Sequence, residues 1–442
     1  MSIVARMADA LEVVFSEATE EANQEAGVIL RRRKFTPVSL AKTYILGLLA
    51  NPHARHEDLA AVAAAAGVQV SPQAIEQRYS PRLCKFLECL LARMLRVVVQ
   101  ADETLAPLLE RFTEIKILDS SSVQLPDSEA ERFPASGGAK DRNLAVVKLQ
   151  TELELCRGQL LCLQPEPGKA NDQGTDRQHV PPRPGSLRIA DLGYFSVPVL
   201  ASIAAANAYF LSRVQHHVKI HVEDVKHGLV EWLNRQPEAV VDRNIALGKE
   251  DRLACRLIAW RVPQEIAGRR RAKLRENSVR KTGREPSRES LAACDWEFLV
   301  TNLPEEKLSV KEAIVLYRAR WQIELLFKRW KSIGLIAVLD GKNDVTKMCR
   351  FWARLCAAVV QHWLTVCVGW SATPTLSFAK LAHAIAAIAG ELASAIGSEE
   401  RVEAAINKLR RQAIACCRRN KRRKPGAIEL LRNPELLEYA LT

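Results

Sequence analysis

Four polar residues, Tyr317, Arg320, Glu324 and Lys331, are spaced by three, four and seven positions in this 442-residue chain. At about 100° per residue they fall within about a 60° arc of one helix, so a carboxylate, two cations and a phenol face the same way. Such a stripe suits a metal-binding carboxylate beside phosphate-binding side chains. It equally suits an Arg–Glu pair at four-residue spacing on a solvated face. Two acids elsewhere weigh on that choice. Asp119 follows Ile115 and Ile117 on one face of an alternating run, and Asp191 closes the run Leu187–Ala190 just before Gly193 and Tyr194. A carboxylate in such a place is costly unless it is paired or binds a cation. Asp119, Asp191 and Glu324 together would form a hard, all-oxygen set for Mg²⁺ or Mn²⁺. Two such ions activate a nucleophile and stabilise the leaving oxygen in phosphoryl transfer. Asp127, Asp172 and Asp176 are rivals, but they lie in polar stretches where acids are common.

These side chains need elements to carry them. Glu114–Leu125 alternates as a strand, a polar loop follows to about Asn143, and Val147–Leu155 alternates again. Arg157 and Gly158 turn the chain into a third strand, Gln159–Gln164, completing a hairpin. Leu187–Ala190, a helix over Ser196–Asn207 and a strand over Tyr209–Val214 come next. Three antiparallel strands followed by alternating strand and helix predict an RNase H-like α/β core with a mixed sheet. Residues 216–300 break this order as a β-rich insertion, with a basic segment from Arg269 to Arg288 and a further strand at Trp296–Asn302. The helix Lys311–Gly334 carries the polar stripe, while Leu316, Ile323, Phe327 and Trp330 form the apolar stripe that would pack it on the sheet. The expected domains are 1–105 (helical, DNA-binding), 106–215 (first part of the core), 216–300 (insertion), 301–342 (core helix with the third acid) and 343–442 (helical).

Within residues 1–105, Glu57–Ala66 reads as a short helix, Gly67 as part of a turn, and Ser71 as the cap of a second helix beginning at Pro72. This resembles a helix-turn-helix over 57–80 that would turn Gln73, Gln77 and Arg78 toward a DNA groove. A plain helical hairpin fits the same pattern.

The stripe reproduces the Y-(2)-R-(3)-E-(6)-K signature of DDE transposases of the insertion-sequence-four type. Asp119 in I-L-D-S-S and Asp191 in I-A-D-L-G-Y-F resemble the strand-borne aspartate motifs of that family, as does the run W-E-F-L-V-T-N-L-P into the helix. The resemblance covers roughly residues 110–335. It implies that Asp119, Asp191 and Glu324 are the metal-binding catalytic triad, served by Mg²⁺ or Mn²⁺, with two ions. Tyr317, Arg320 and Lys331 would contact the DNA at the element's end. The interval of 324 − 191 = 133 residues would hold the family's β-rich insertion. The family further implies double-stranded DNA as the partner, both element ends and target, and a homodimer acting in trans on it. The implied location is the bacterial cytoplasm, associated with the nucleoid.

Composition agrees with such partners without selecting an activity. The 64 Lys plus Arg outnumber the 51 Asp plus Glu, giving a formal charge of +13 that favours an acidic partner. A second basic run spans Arg418–Lys424, and either run is also readable as a solvated face. The apolar stretches Phe351–Trp370 and Lys380–Gly397 contain charged and polar residues and read as buried helices rather than membrane spans. The early acids of the N-terminus argue against a signal peptide. The 11 Cys include no Cys-x-x-Cys pair, so reduced thiols are expected. His216, His217, His221 and His227 lack a metal-ligand arrangement. No phosphate-cradling Gly-rich loop is present, so a nucleotide cofactor is not expected. Two other readings remain at this level: a transposase-derived or helix-turn-helix DNA-binding protein without cleavage, whose acids are structural, and an RNase H-like nuclease that does not join strands.

Overall fold

The computed structural model describes residues 2–136, 144–248, 252–420 and 424–437. The chain divides into two compact units, each built from separated stretches. One comprises 1–105, 120–170 and 323–421; the other comprises 106–119, 171–322 and 422–442.

Alternating apolar residues and turn-forming punctuation produce the strands where the sequence places them. β1 is Ile115–Leu125, β2 Ala145–Glu154, β3 Leu160–Pro167, β4 Leu187–Ala190 and β5 Tyr209–Arg213. β6 is Lys219–Val222, β7 Val225–Gly228, β8 Val240–Leu247, β9 Leu253–Arg261 and β10 Trp296–Thr301. β1 passes from one unit into the other at Asp119–Ser120. In the first unit the order is β3-β2-β1, with β2 and β3 antiparallel. In the second it is β1-β4-β5-β10-β9-β8-β6-β7. There β1, β4 and β5 are parallel, whereas β10 runs antiparallel to both β5 and β9. The order 3-2-1-4-5 is the RNase H-like one, and the protein is a mixed α/β fold with flanking helices.

The stretch after β5, expected as a β-rich insertion, is rich in strands and continues the same sheet. β6–β7 and β8–β9 are local hairpins, but the pairings that join them to the core, β6 with β8 and β10 with β5 and β9, link more distant segments and could not be read from sequence. The apolar core of the second unit accordingly mixes residues of both stretches, including Phe210, Val214, Trp232, Leu257, Trp296 and Val300. Arg256 on β9 locks this part: its Nε and Nη2 donate to the two oxygens of Asp242 on β8 at 2.6 and 2.5 Å, and its Nη1 donates to the Leu308 carbonyl at 2.6 Å.

In the first unit, the helix Asp344–Gly369 is buried from Met348 to Gly369. It is long and apolar enough to span a membrane, but its apolar window is wholly buried inside the protein, as in a core helix. Its arginines are satisfied there. Arg350 and Arg354 both pair with Asp340, and they donate to the carbonyls of Pro52 and Ala54. Helices Pro37–Ala50 and Pro81–Met94 pack against it, each started by a capping hydroxyl followed by proline. All eleven cysteines are unbridged.

Candidate active site

The second unit brings four of the expected residues together. The β1–β4 register runs from Ile115 opposite Leu187 to Leu118 opposite Ala190, so Asp119, midway along β1, and Asp191, just past the end of β4, occupy the next pair of positions where the parallel pairing stops. Leu118, Ala190 and Tyr194 form a small buried apolar cluster beneath them. Beyond Asp191 the chain turns at once into a single helical turn, Leu192–Tyr194, in which the Tyr194 amide donates to the Asp191 carbonyl.

The helical stretch that faces these acids begins with a reciprocal cap. The Glu312 amide donates to the Ser309 hydroxyl, and the Ser309 amide donates to the Glu312 carboxylate at 2.9 Å. Arg111 pairs with Glu312 at 2.8 Å. Burial raises the Glu312 pKa, but the Arg111 and Ser309 hydrogen bonds outweigh it and hold the carboxyl below its ordinary value. The stretch is two helices rather than one, Val310–Ala319 and Trp321–Ser332, meeting at Arg320, which keeps helical backbone angles. No proline or glycine marks this break, so the sequence gives no sign of it.

Tyr317 and Arg320 point at these aspartates. The Tyr317 hydroxyl donates to Asp191 Oδ1 at 3.1 Å. Arg320 Nη1 donates to Asp119 Oδ2 at 3.1 Å, with Arg320 almost buried and Asp119 19% exposed. Burial, reinforced by the negative charge of Asp191, pushes the Tyr317 pKa well up, so the phenol stays protonated and remains a donor. The guanidinium of Arg320 also lies 5.8 Å from the Tyr317 ring centroid. Tyr317 and Arg320, expected on DNA, each hold one of the two aspartates here.

The rest of the stripe belongs to the first unit. Glu324 is half-buried on Trp321–Ser332. Lys331 Nζ donates to the Ser122 carbonyl at 2.9 Å, and burial lowers its pKa. Gln73, Gln77 and Arg78 also lie in that unit. The second helix of the expected helix-turn-helix, Pro72–Glu76, is only five residues long. Gln73 is exposed on it, while Gln77 and Arg78 fall in the turn beyond, with the Arg78 guanidinium 5.4 Å from the Phe35 ring centroid. Ser80–Pro81, a second capped start, explains the early stop, because a residue before proline resists helical angles. His216 Nε2 and the Ser290 hydroxyl are hydrogen-bonded at 3.1 Å, and His221 is buried. The core of the basic run Arg418–Lys424, residues 421–423, lies outside the described residues, as do residues 137–143 of the loop before β2.

Among the described residues, no group of three or more His, Cys, Asp or Glu side chains is placed to hold a metal ion. Arg320 donates to Asp119, and Tyr317 donates to Asp191. The chemistry of the two aspartates nevertheless suits a divalent cation: hard carboxylate oxygens on adjacent strands, half-exposed at one edge of an otherwise apolar core. The chemistry open to such an edge is the charge-stabilised handling of a phosphodiester.

An RNase H-like sheet that presents paired carboxylates where two parallel strands part defines a class of nucleic-acid-processing α/β folds. The transposase DDE domain matches residues 110–360, more than half of the chain. The protein belongs to this family, the DDE transposases. It is 27% identical over 367 residues to the transposase for insertion sequence element IS231B of Bacillus thuringiensis subsp. berliner, covering 77% of this chain and 75% of that one. The transposase for insertion sequence element IS1151 of Clostridium perfringens is 24% identical over 318 residues, 66% of each chain. Among solved structures, a piggyBac transposase synaptic complex with hairpin DNA aligns over 93% of this chain and 84% of that one, with a TM-score of 0.44 and 9% identity.

Proposed function

We propose that the protein cuts double-stranded DNA at the ends of a mobile element and joins the freed 3′-OH to target DNA, acting as a homodimer. The observation that carries this reading is the side-by-side placement of Asp119 and Asp191 where the parallel β1–β4 pairing stops, faced by Tyr317 of the helix Val310–Ala319 and by Arg320 just beyond it. Asp119, Asp191 and Glu324 are the residues that would hold Mg²⁺ or Mn²⁺, as two ions. When bound, the metal supplies activation of the attacking oxygen and stabilisation of the leaving one.

The chain's own side chains do the rest. Arg320 and Tyr317 keep the two aspartates oriented and charge-compensated before DNA arrives, then turn their donors to phosphate oxygens. Lys331, about two turns past Glu324 along the same stripe, meets the backbone of the same end. Gln73, Gln77 and Arg78 would contribute to DNA binding from the first unit. The bacterial cytoplasm, with the protein on nucleoid DNA, is the compartment this activity requires.

The test uses Asp119→Asn, Asp191→Asn and Glu324→Gln on duplex DNA carrying the element's ends, with Mg²⁺. Each variant should lose cleavage by at least about a thousandfold while still binding DNA, the scale expected for removing a principal electrostatic contribution. Cleavage at the parent's rate would refute the assignment. Hydrolysis by the parent without any joined product from a precleaved end would leave a nuclease instead of a transposase.

A further inference from the structure

The helix Gln264–Thr282 is out of keeping with everything around it. Over 19 residues it buries only Ala267. A helix that is polar all round needs a reason to persist, because isolated helices of this length are marginal in water. Its first half has one. Arg270 pairs with Glu297 on β10 and Arg271 pairs with Asp295, which fasten the helix to the sheet, and Arg269 pairs with Glu265 one turn back. Arg275 reaches Glu285 at 3.7 Å.

The second half has none. Lys273, Arg280, Lys281, Arg284 and Arg288 are all exposed, and none has an acidic partner among the described residues. Arg280 donates only to the Asn277 side chain, at 3.1 Å. Five cations within sixteen residues repel one another, and the last turn alone accounts for two of them by favouring cations at a helix C-terminus. Lys273 and Arg280 are seven residues apart on one face, about 10 Å along the axis. That distance spans about three nucleotides of one strand at ~3.4 Å each. The apolar residues Ile266, Leu274 and Val279 scatter around the helix rather than forming a face, which excludes the amphipathic geometry of a helix lying on a lipid surface.

We infer that the free half of this helix and the turn after it form an arm that grips the phosphate backbone of duplex DNA, separate from the paired aspartates. This rests on the DNA-joining reading above. The bound duplex is either an element end or target DNA, which share the same backbone chemistry. The contact reads charge and not sequence, because arginine and lysine on a backbone position a protein without specifying bases.

The experiment measures binding of the full chain to an element-end duplex and to an unrelated duplex, as a function of salt. The parent is compared with a variant carrying Lys273→Gln, Arg280→Gln, Lys281→Gln, Arg284→Gln and Arg288→Gln. Each phosphate contact contributes about 0.9 to the slope of log K against log salt, so the variant should lose up to about 4.5 from that slope. A milder variant, Lys273→Gln with Lys281→Gln, should lose about 1.8 and guards against misfolding of the larger one. A loss on both duplexes is the result expected of a contact that reads charge alone, a loss confined to the element-end duplex assigns the arm to end DNA, and one confined to the unrelated duplex assigns it to target DNA. Unchanged slopes on both duplexes, with the parent binding normally, overturn the arm. A parent that binds neither duplex overturns the DNA reading itself, and the arm with it.

Discussion

Replacing Arg320 by alanine removes a guanidinium that pairs with Asp119 at 3.1 Å. At an effective dielectric constant near 20, charges about 4 Å apart attract by about 4 kcal/mol, part of which repays the cost of taking both out of water. Breaking a fully buried pair by removing one partner costs about 3–5 kcal/mol; with Asp119 19% exposed, about 2–3 kcal/mol is expected. Arg320→Ala should therefore unfold earlier than the parent in urea when divalent metal is chelated. Added Mg²⁺ should then stabilise the variant more than the parent, because the stranded carboxylate is released to the cation. A tenfold gain in metal affinity corresponds to about 1.4 kcal/mol of extra stabilisation at saturating Mg²⁺. Arg320→Lys keeps the charge but loses the planar fork, so it should fall between the two. The assay is equilibrium urea unfolding followed by tryptophan fluorescence across a Mg²⁺ titration. Equal Mg²⁺ responses in parent and Arg320→Ala would refute the idea that Arg320 stands where a cation is needed.

Two further tests concern the core of the first unit. His362 is fully enclosed, its Nε2 donating to the Gly158 carbonyl at 2.8 Å, and burial, with the Arg329 charge assisting, depresses its pKa to about 4. Its unfolded counterpart binds a proton near pH 6.5, so the neutral ring's stabilisation is complete above pH 6.5 and is lost as pH falls toward 4, by about 3 kcal/mol. His362→Gln should flatten the pH dependence of unfolding in that window, and an unaltered profile would show that other groups set it. Gly158 has φ +78°, and a Cβ there would meet the Trp370 ring at 2.6 Å. Gly158→Ala should cost about 2–4 kcal/mol in urea unfolding from left-handed strain and displaced packing, and a cost under about 1 kcal/mol would mean the ring moves freely.

The strands that carry the acids were legible because their signals are local. Leu187–Ala190 is bounded by a Gly–Ser turn before it and Asp191 after it, and its limits matched the sequence reading. Trp296–Asn302 came within one residue of β10. The polar stripe was legible as a stripe, since periodicity alone places Tyr317 and Arg320 on one side. What they touch was not, because the Tyr317–Asp191 and Arg320–Asp119 pairs join residues 126 and 201 positions apart. The pairing of β10 with β5 and β9 was hidden for the same reason. The short Pro72–Glu76 helix is a different case: the second Ser–Pro start at Ser80 was present in the sequence and marks where that helix must already have ended.

The position of β10 bears on what could be removed from this protein. It is hydrogen-bonded along both edges, to β5 on one side and β9 on the other. Residues 216–295 look dispensable when written as a line, since they separate one core strand from the next. Cutting them out would bare the edge of β10 that faces β9 as a straight row of unpaired donors and acceptors, ready to recruit the same strand from another copy. In the intact chain the sheet ends instead at β7, four residues long and carrying Lys226, too short and too charged to template growth. The stretch between the second aspartate and the glutamate helix is thus the sheet's protection against self-association, and a minimal version of this protein trimmed to its chemistry would be expected to aggregate.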